Sequence, residues 1–334
     1  MESRSLLTRR RLLAGSAALL GLSAQARGED REAARFFRIG TGGSAGTYFP
    51  IGTLVAEILN GGICAPPSCG IDGRQAVAEL SNGSTGNCTA LRTGSIDAGL
   101  VQSDILHNAW KGLDGFADAG PSAQLRFAAT LYPEALHIVV AEAGKIRGVR
   151  DIVGRRIAVD EAASGSFVLV QSALAALGIK ETDFQPRYLK PDFAIERMKA
   201  GALDGFVIVE AVPSALIAKF MSRFHARLVP ITPDETRQIR RSYPYLQAGA
   251  IPAGIYAQGQ ADIPTLEVLA QLAVTTRLDA RFVQKLLTQL WSDASLAQLR
   301  QRQNQIALAH ALDGAGVPLH DGAERFYRDV GALK

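Results

Sequence analysis

The chain of 334 residues lacks the constellations that most catalysis needs. It contains no G-x-S-x-G elbow, no H-E-x-x-H and no C-x-x-C, and its acidic residues are scattered without a catalytic pair. This disfavours hydrolytic, metal-dependent and thiol-redox chemistry and leads to the expectation of a protein that is not an enzyme and uses no cofactor. Cysteine is scarce as well. Cys64, Cys69 and Cys88 have no histidine near them and match no zinc spacing, so no metal is expected. Charge of one sign is missing too. The formal net charge of +4 carries +3 within the first 26 residues (Arg4, Arg9, Arg10 and Arg11 against Glu2), which leaves no electrostatic basis for nucleic-acid binding. No apolar run reaches the ~20 residues of a membrane span.

What is present begins with an export signal, residues 1–26. Thr8-Arg9-Arg10-Arg11-Leu12-Leu13 is basic with adjacent arginines, Leu12–Leu22 is a short apolar run, and Ala24-Gln25-Ala26 offers small residues for cleavage. The arginine pair resembles a twin-arginine signal, although the general secretory route tolerates it. The mature chain would begin near Arg27, in an oxidising compartment where Cys64 and Cys69 could close the loop CAPPSC. Cys88, at an apolar position of a predicted helix, reads as a buried free thiol. The odd count leaves the pairing open.

The stretch Ile39–Asn60, IGTGGSAGTYFPIGTLVAEILN, organises the rest. A strand (Phe36–Ile39) enters a turn with four glycines, and the turn opens into a helix whose Ile51, Leu54, Val55 and Ile58 fall at helical spacing. Glycines admit a ligand close to the backbone, and the unpaired N–H groups of a helix start favour an anion. A phosphate loop is excluded by the missing Lys-Ser/Thr. A dinucleotide site is disfavoured because no acid-ending strand follows to hold a ribose.

The same unit recurs. Ala45-Gly46-Thr47-Tyr48 falls on Ser164-Gly165-Ser166-Phe167 after a second strand, Ile157–Val159, and the helix positions Ile51, Val55 and Ile58 fall on Val170, Leu174 and Leu177. A second correspondence aligns Leu91–Asp97 with Met198–Asp204, each a helix end at glycine followed by an apolar run. Two copies of this α/β pattern predict two similar Rossmann-like lobes with mostly parallel sheets. The expected boundaries are 27–132 and 249–334 for a discontinuous first lobe and 133–248 for the second. The chain would cross at Tyr132-Pro133-Glu134-Ala135 and within Thr232–Pro252. The tail reads as helical, with Leu266, Leu269, Ala270 and Ala273 on one face and Phe282, Leu286, Leu287, Leu290 and Trp291 on another.

Ligand-binding candidates follow from the turns: Gly43, Ser44, Gly46, Thr47, Tyr48, Ser84, Gln102 and Ser103 in the first lobe, Tyr132 at the crossing, and Ser164, Gly165, Ser166 and Glu210 in the second. Each serine taken alone reads as a helix cap. Their convergence on one edge of both sheets points to a cleft. His137 reads as a satisfied structural residue.

With these residues assembled, the chain resembles the TAXI family of TRAP-transporter solute receptors. The resemblance rests on Ile39–Gly52, Ser81–Asn87, Leu91–Asp104, Leu131–Val140, Ala163–Val168 and Val317–Gly331. It implies an α/β, bilobed fold of the type II periplasmic-binding-protein kind with a two-segment hinge. It further implies a monomeric periplasmic receptor that closes on a small carboxylate or amino acid, such as a glutamate- or glutamine-like solute, and delivers it to a TRAP permease with fused small and large subunits. The CAPPSC loop and Glu210 depart from the family pattern. Inside the cleft, Glu210 would disfavour a plain dicarboxylate and could pair with a ligand amino group; outside, it would be a surface charge. An exported α/β enzyme and a bilobed receptor for an ATP-driven importer or sensor remain as alternatives.

Overall fold

The computed structural model describes residues 36–62, 69–162 and 164–333. The expected export segment 1–26, Cys64 of the expected Cys64–Cys69 loop, and Ala163 lie outside them. Cys69 is disulfide-bonded, and Cys88 is a buried free thiol.

The first unit forms as its pattern predicts: β1 (Phe36–Gly40), α1 (Tyr48–Leu59), β2 (Gln75–Glu79), α2 (Ser84–Thr93), β3 (Ala98–Gln102) and α3 (Ser103–Lys111). Gly94 ends α2 at φ 84°, a left-handed conformation that glycine adopts without strain. After β4 (Leu125–Ala141) comes the second unit: β5 (Arg156–Ala158), α4 (Gly165–Ala176), β6 (Gln185–Arg187), α5 (Pro191–Lys199) and β7 (Gly205–Ala211). Then follow α6 (Ala215–Met221), β8 (Ala226–Leu228), α7 (Pro233–Ser242), β9 (Gln247–Ile251), β10 (Ile263–Thr275), and helices α8 (Ala280–Leu290), α9 (Asp293–Arg302) and α10 (Asp321–Asp329).

These strands form a mixed sheet in the order β2-β1-β3-β10-β4-β7-β5-β6, with β8 on β4 and β9 on β10. Within each unit the pairs are parallel, β1 with β2 and β3 on one side and β5 with β6 and β7 on the other. The two units are joined through antiparallel β4 and β10. Apolar side chains from α1, α8 and α9 pack on the β1–β3 end, and those of α4, α5 and α6 on the β5–β7 end.

Two readings of the sequence are corrected here. Phe127–Leu131 and His137–Ala141, the runs on either side of the expected crossing Tyr132-Pro133-Glu134-Ala135, are not separate elements. They are one strand of 17 residues, and Pro133 sits where β4 changes partner from β10 to β7. Leu266, Leu269, Ala270 and Ala273 form no helix face, because they lie in β10. A strand covered on both sides is apolar nearly throughout and carries no period-2 signature.

The repeat, by contrast, reaches the level of single hydrogen bonds. Asp97 Oδ2 accepts from Arg38 N at 2.9 Å, and Asp97 N donates to Arg38 O at 2.9 Å. Asp204 Oδ2 accepts from Arg156 N at 2.8 Å, and Asp204 N donates to Arg156 O at 2.9 Å. The second carboxylate oxygen takes a guanidinium in both units, Arg74 at 2.9 Å and Arg156 at 2.8 Å. Each aspartate thus ties the start of its strand to the first strand of its unit.

Candidate binding cleft

The first turn is shaped by Asn87. Its amide nitrogen donates to Thr41 O at 2.7 Å and Leu100 O at 2.8 Å, locking the end of β1 against β3. A Cβ at Gly40 would stand 2.5 Å from Asn87 Oδ1, so this close approach requires glycine. The backbone then rises into α1 with Thr47 at the N-cap position. Its side chain caps nothing in its own helix, so the first N–H groups need an acceptor from elsewhere.

That acceptor is Glu210. Thr47 N donates to both carboxylate oxygens, at 3.1 and 3.3 Å, and Thr47 Oγ1 donates to Oε2. Glu210 lies on β7, paired with Ala135 of β4, and is 6% exposed. A Cβ on Gly46 would lie 2.9 Å from Glu210 Oε1, so the glycine gives the carboxylate room. The anion seat expected at the start of α1 exists, and the chain's own carboxylate is in it.

The second turn is built differently. Ser164 Oγ accepts from Phe167 N at 3.1 Å and so caps α4 itself, while Ser166 Oγ accepts from Val209 N at 3.1 Å and anchors β7. Gly165 faces the opposite wall, where a Cβ would stand 2.2 Å from Gln102 Oε1 and 2.8 Å from Ser84 Oγ. Ser84 Oγ in turn accepts from Gln102 N at 3.0 Å. Asp160, just beyond β5, holds φ 67°, a costly conformation for a non-glycine residue.

The cleft has a volume of about 180 Å³, and both turns line it. Its electrostatics are dominated by buried acids. Glu134 is 2% exposed and accepts from Tyr48 OH at 2.8 Å; burial pushes its carboxyl well above the usual range. Burial likewise raises Glu210 to about 7, against the lowering effect of Thr47. Asp160 is raised by burial, partly offset by the backbone of Glu161 and by the hydroxyls of Ser164 and Ser166. Among the described lining residues Lys190 is the single base, and it stands 3.6 Å from Glu161. Of the described lining residues, Gln102 has a buried amide oxygen without a partner; outside the cleft, so has the Tyr132 hydroxyl. The Tyr132 hydroxyl is raised by burial and then by the nearby Glu134 and Glu210.

Most of the sequence-predicted residues come together here: Gly43, Ser44, Gly46, Thr47, Tyr48, Ser84, Gln102, Ser164, Gly165, Ser166 and Glu210 all line the cleft. Ser103 does not, because it starts α3 and its hydroxyl accepts weakly from Leu269 N at 3.4 Å. Tyr132 is buried within β4 and lines a separate cavity beside Gln247 and Glu267. Phe167, the counterpart of Tyr48 in the repeat, does not line the cleft and packs edge-on against Tyr188. Sequence reasoning missed Glu134 and Asp160. The signal for Glu134 was an acid amid LYPEALHIVV, and the signal for Asp160 was an acid directly after the strand IAV. His137 is satisfied on both ring nitrogens, by Ala135 O and Tyr256 OH, and burial lowers it to about 4.

A larger cavity of about 690 Å³ lies between α3 and α4, walled mainly by apolar residues such as Ile105, Phe116, Val159 and Phe167. The smaller cleft is the stronger candidate because several buried acids and the unpartnered Gln102 Oε1 converge on it. Among the described residues, no group of three or more His, Cys, Asp or Glu is placed to hold a metal ion, and no helix is long and apolar enough to cross a membrane.

A cleft between two copies of one α/β unit, lined by binding turns and buried acids, is an arrangement for holding a small molecule. The chain belongs to the NMT1-like family, which it matches over residues 39–331. It is 35% identical over 85 residues to an Escherichia coli (strain K12) protein provisionally named aliphatic sulfonates-binding protein. That match covers 25% of this chain and 26% of the relative, so the chain spans about a quarter of the length of that curated relative. Among solved structures it is similar to the alkanesulfonate-binding protein SsuA from Xanthomonas axonopodis pv. citri bound to MOPS (TM-score 0.45, 17% identity, 88% of this chain and 83% of that one). It is also similar to the periplasmic aliphatic sulphonate binding protein SsuA from Escherichia coli (TM-score 0.43, 18% identity, 90% and 79%).

Proposed function

We propose that the protein is an exported, monomeric solute-binding receptor of the periplasm. Two lobes, residues 27–132 with 249–334 and residues 133–248, would close on a small amino acid or carboxylate and present it to a membrane permease. The observation that carries this reading is the cleft itself, where the glycine turn of one unit meets Glu210 and the serine turn of the other. Contacts from both sides are what a ligand needs to stabilise a closed arrangement. The volume, below the ~300 Å³ at which drug-sized pockets begin, suits a solute of a few heavy atoms. No bond need be made or broken for such a role.

The finer reading is a TAXI-type receptor serving an ion-gradient-driven TRAP permease. It is supported by the motifs Ile39–Gly52, Leu91–Asp104 and Val317–Gly331. The alternative, delivery to an ATP-driven importer, draws on the named sulfonate-binding relative. An aliphatic sulfonate would, however, bring a fixed anion beside Glu134 and Glu210.

A thermal-shift screen of amino acids and of keto- and dicarboxylates against the mature chain tests the receptor reading. The expected result is at least one ligand that raises the melting temperature without being consumed; turnover of a hit would replace the reading with an enzymatic one. Uptake of a hit in vesicles carrying a TRAP permease or an ATP-driven importer separates the transport classes. Uptake abolished by an ionophore and indifferent to ATP supports the TRAP partner, and the reverse supports the importer.

A further inference from the structure

We propose that the cleft selects ligands carrying a protonated amine, with the Glu210 and Glu134 carboxylates as its acceptors. This rests on the receptor reading and specifies its ligand class. The groups that converge on the cleft are overwhelmingly acceptors. Glu210, Glu134, Asp160, Glu161 and Asp192 line it together with Lys190, which is already beside Glu161. Two of the hydroxyls expected to hold an anion, those of Ser164 and Ser166, turn toward Asp160, and each also accepts a backbone N–H of its own lobe. The Thr47 N–H and hydroxyl, the natural seat for a carboxylate at the start of α1, are satisfied by Glu210.

An independent observation points the same way. Gln102 is 3% exposed, lines the cleft, and its amide oxygen has no partner. A buried acceptor without a donor is costly to the protein alone and is relieved by a ligand that brings N–H groups. A plain dicarboxylate would bring an anion beside carboxyls that burial already keeps toward their neutral form, whereas an ammonium group would supply up to three donors and let those carboxyls ionise. An α-amino acid satisfies both demands, its ammonium reaching the acids and its carboxylate remaining near the mouth.

Isothermal titration calorimetry and thermal shift of the full mature chain test this with matched pairs differing at the amine: L-glutamate and 2-oxoglutarate, L-alanine and L-lactate, taurine and isethionate. The expected result is that at least one amine-bearing member binds and that its twin binds at least about tenfold more weakly. Glu210→Gln and Glu134→Gln should each weaken the amine-bearing ligand about ten- to hundredfold, the range of a hydrogen bond to a charged group. The comparison within each pair uses the unaltered protein, so it decides the matter even if a variant folds poorly. Equal binding of twins, or oxo- and hydroxy-acids binding where amines do not, would overturn the amine assignment while leaving the receptor standing. Binding by no member of any pair would overturn the receptor reading for these solutes and the amine assignment with it.

Discussion

The two glycine-hydroxyl turns start from the same sequence pattern and end in opposite chemical states. In the second copy Ser164 caps its own helix and Ser166 anchors a strand, so the turn is closed on itself. In the first copy Thr47 caps nothing, and the exposed start of α1 takes a carboxylate from the other unit. The paired aspartates Asp97 and Asp204, away from the cleft, keep one role in both copies down to individual bonds. Repetition is thus kept where it builds the units and lost where they meet.

The sharpest way to probe this difference is through Glu210. Its carboxyl is held near 7 in the folded protein, against an ordinary value of 4.5. Below about 4.5 both states are protonated. Between 4.5 and 7 the unfolded chain ionises first, so stability is lost as pH rises through this window and the loss is complete above it. The expected loss attributable to Glu210 is about 3 kcal/mol. Asp104, also raised to about 7, adds in the same direction, so the readout is the difference between wild type and Glu210→Gln in chemical denaturation from pH 4.5 to 8. Parallel profiles would show that Glu210 ionises freely and that the two turns are less different than their bonds imply.

Next in size, Asp97→Ala and Asp204→Ala should each cost about 2 kcal/mol, and by similar amounts, because each removes a charged acceptor from a backbone N–H and a guanidinium. Urea unfolding measures both, and a silent substitution at one site would mean that the symmetry is geometric only. Smaller still, Ser164→Ala should cost about 1 kcal/mol as a lost N-cap. Thr47→Ala should cost only a few tenths once Glu210→Ala has removed its partner. A double-mutant cycle isolates that coupling.

Much of the molecule was legible from its residues. Glycine turns, helix spacing and the two Gly-x-apolar-Asp connections gave both units, and the convergence of hydroxyls located the cleft. The central strands were not legible, because β10 is covered on both sides and its apolar residues happen to include the i, i+3, i+4, i+7 set of a helix. Tyr132-Pro133-Glu134 reads as a break between two apolar runs because proline and an acid rarely interrupt a strand. In β4 the proline falls where the strand changes partners, and Glu134 is held by a tyrosine 86 residues away. No local pattern carries such a partnership, and the buried acids of the cleft were hidden for the same reason. Tyr48 illustrates the converse. It lines the cleft as expected but is also a buried part of the core, so Tyr48→Phe, which removes only the bond to Glu134, is the informative substitution.

The two long strands have a consequence of their own. β4 spans 17 residues, roughly 55 Å of extended chain, and with β10 it runs without a break from one unit into the other. Relative movement of the units must therefore be absorbed as twist along these two ribbons, with the ladder irregularities at Ala270/Gln271 and Leu272/Ala273 as its softest points. Such a molecule behaves as a leaf spring rather than a door on a pin. Any travel of the units would be limited by the backbone of these two strands, which also sets their rest position.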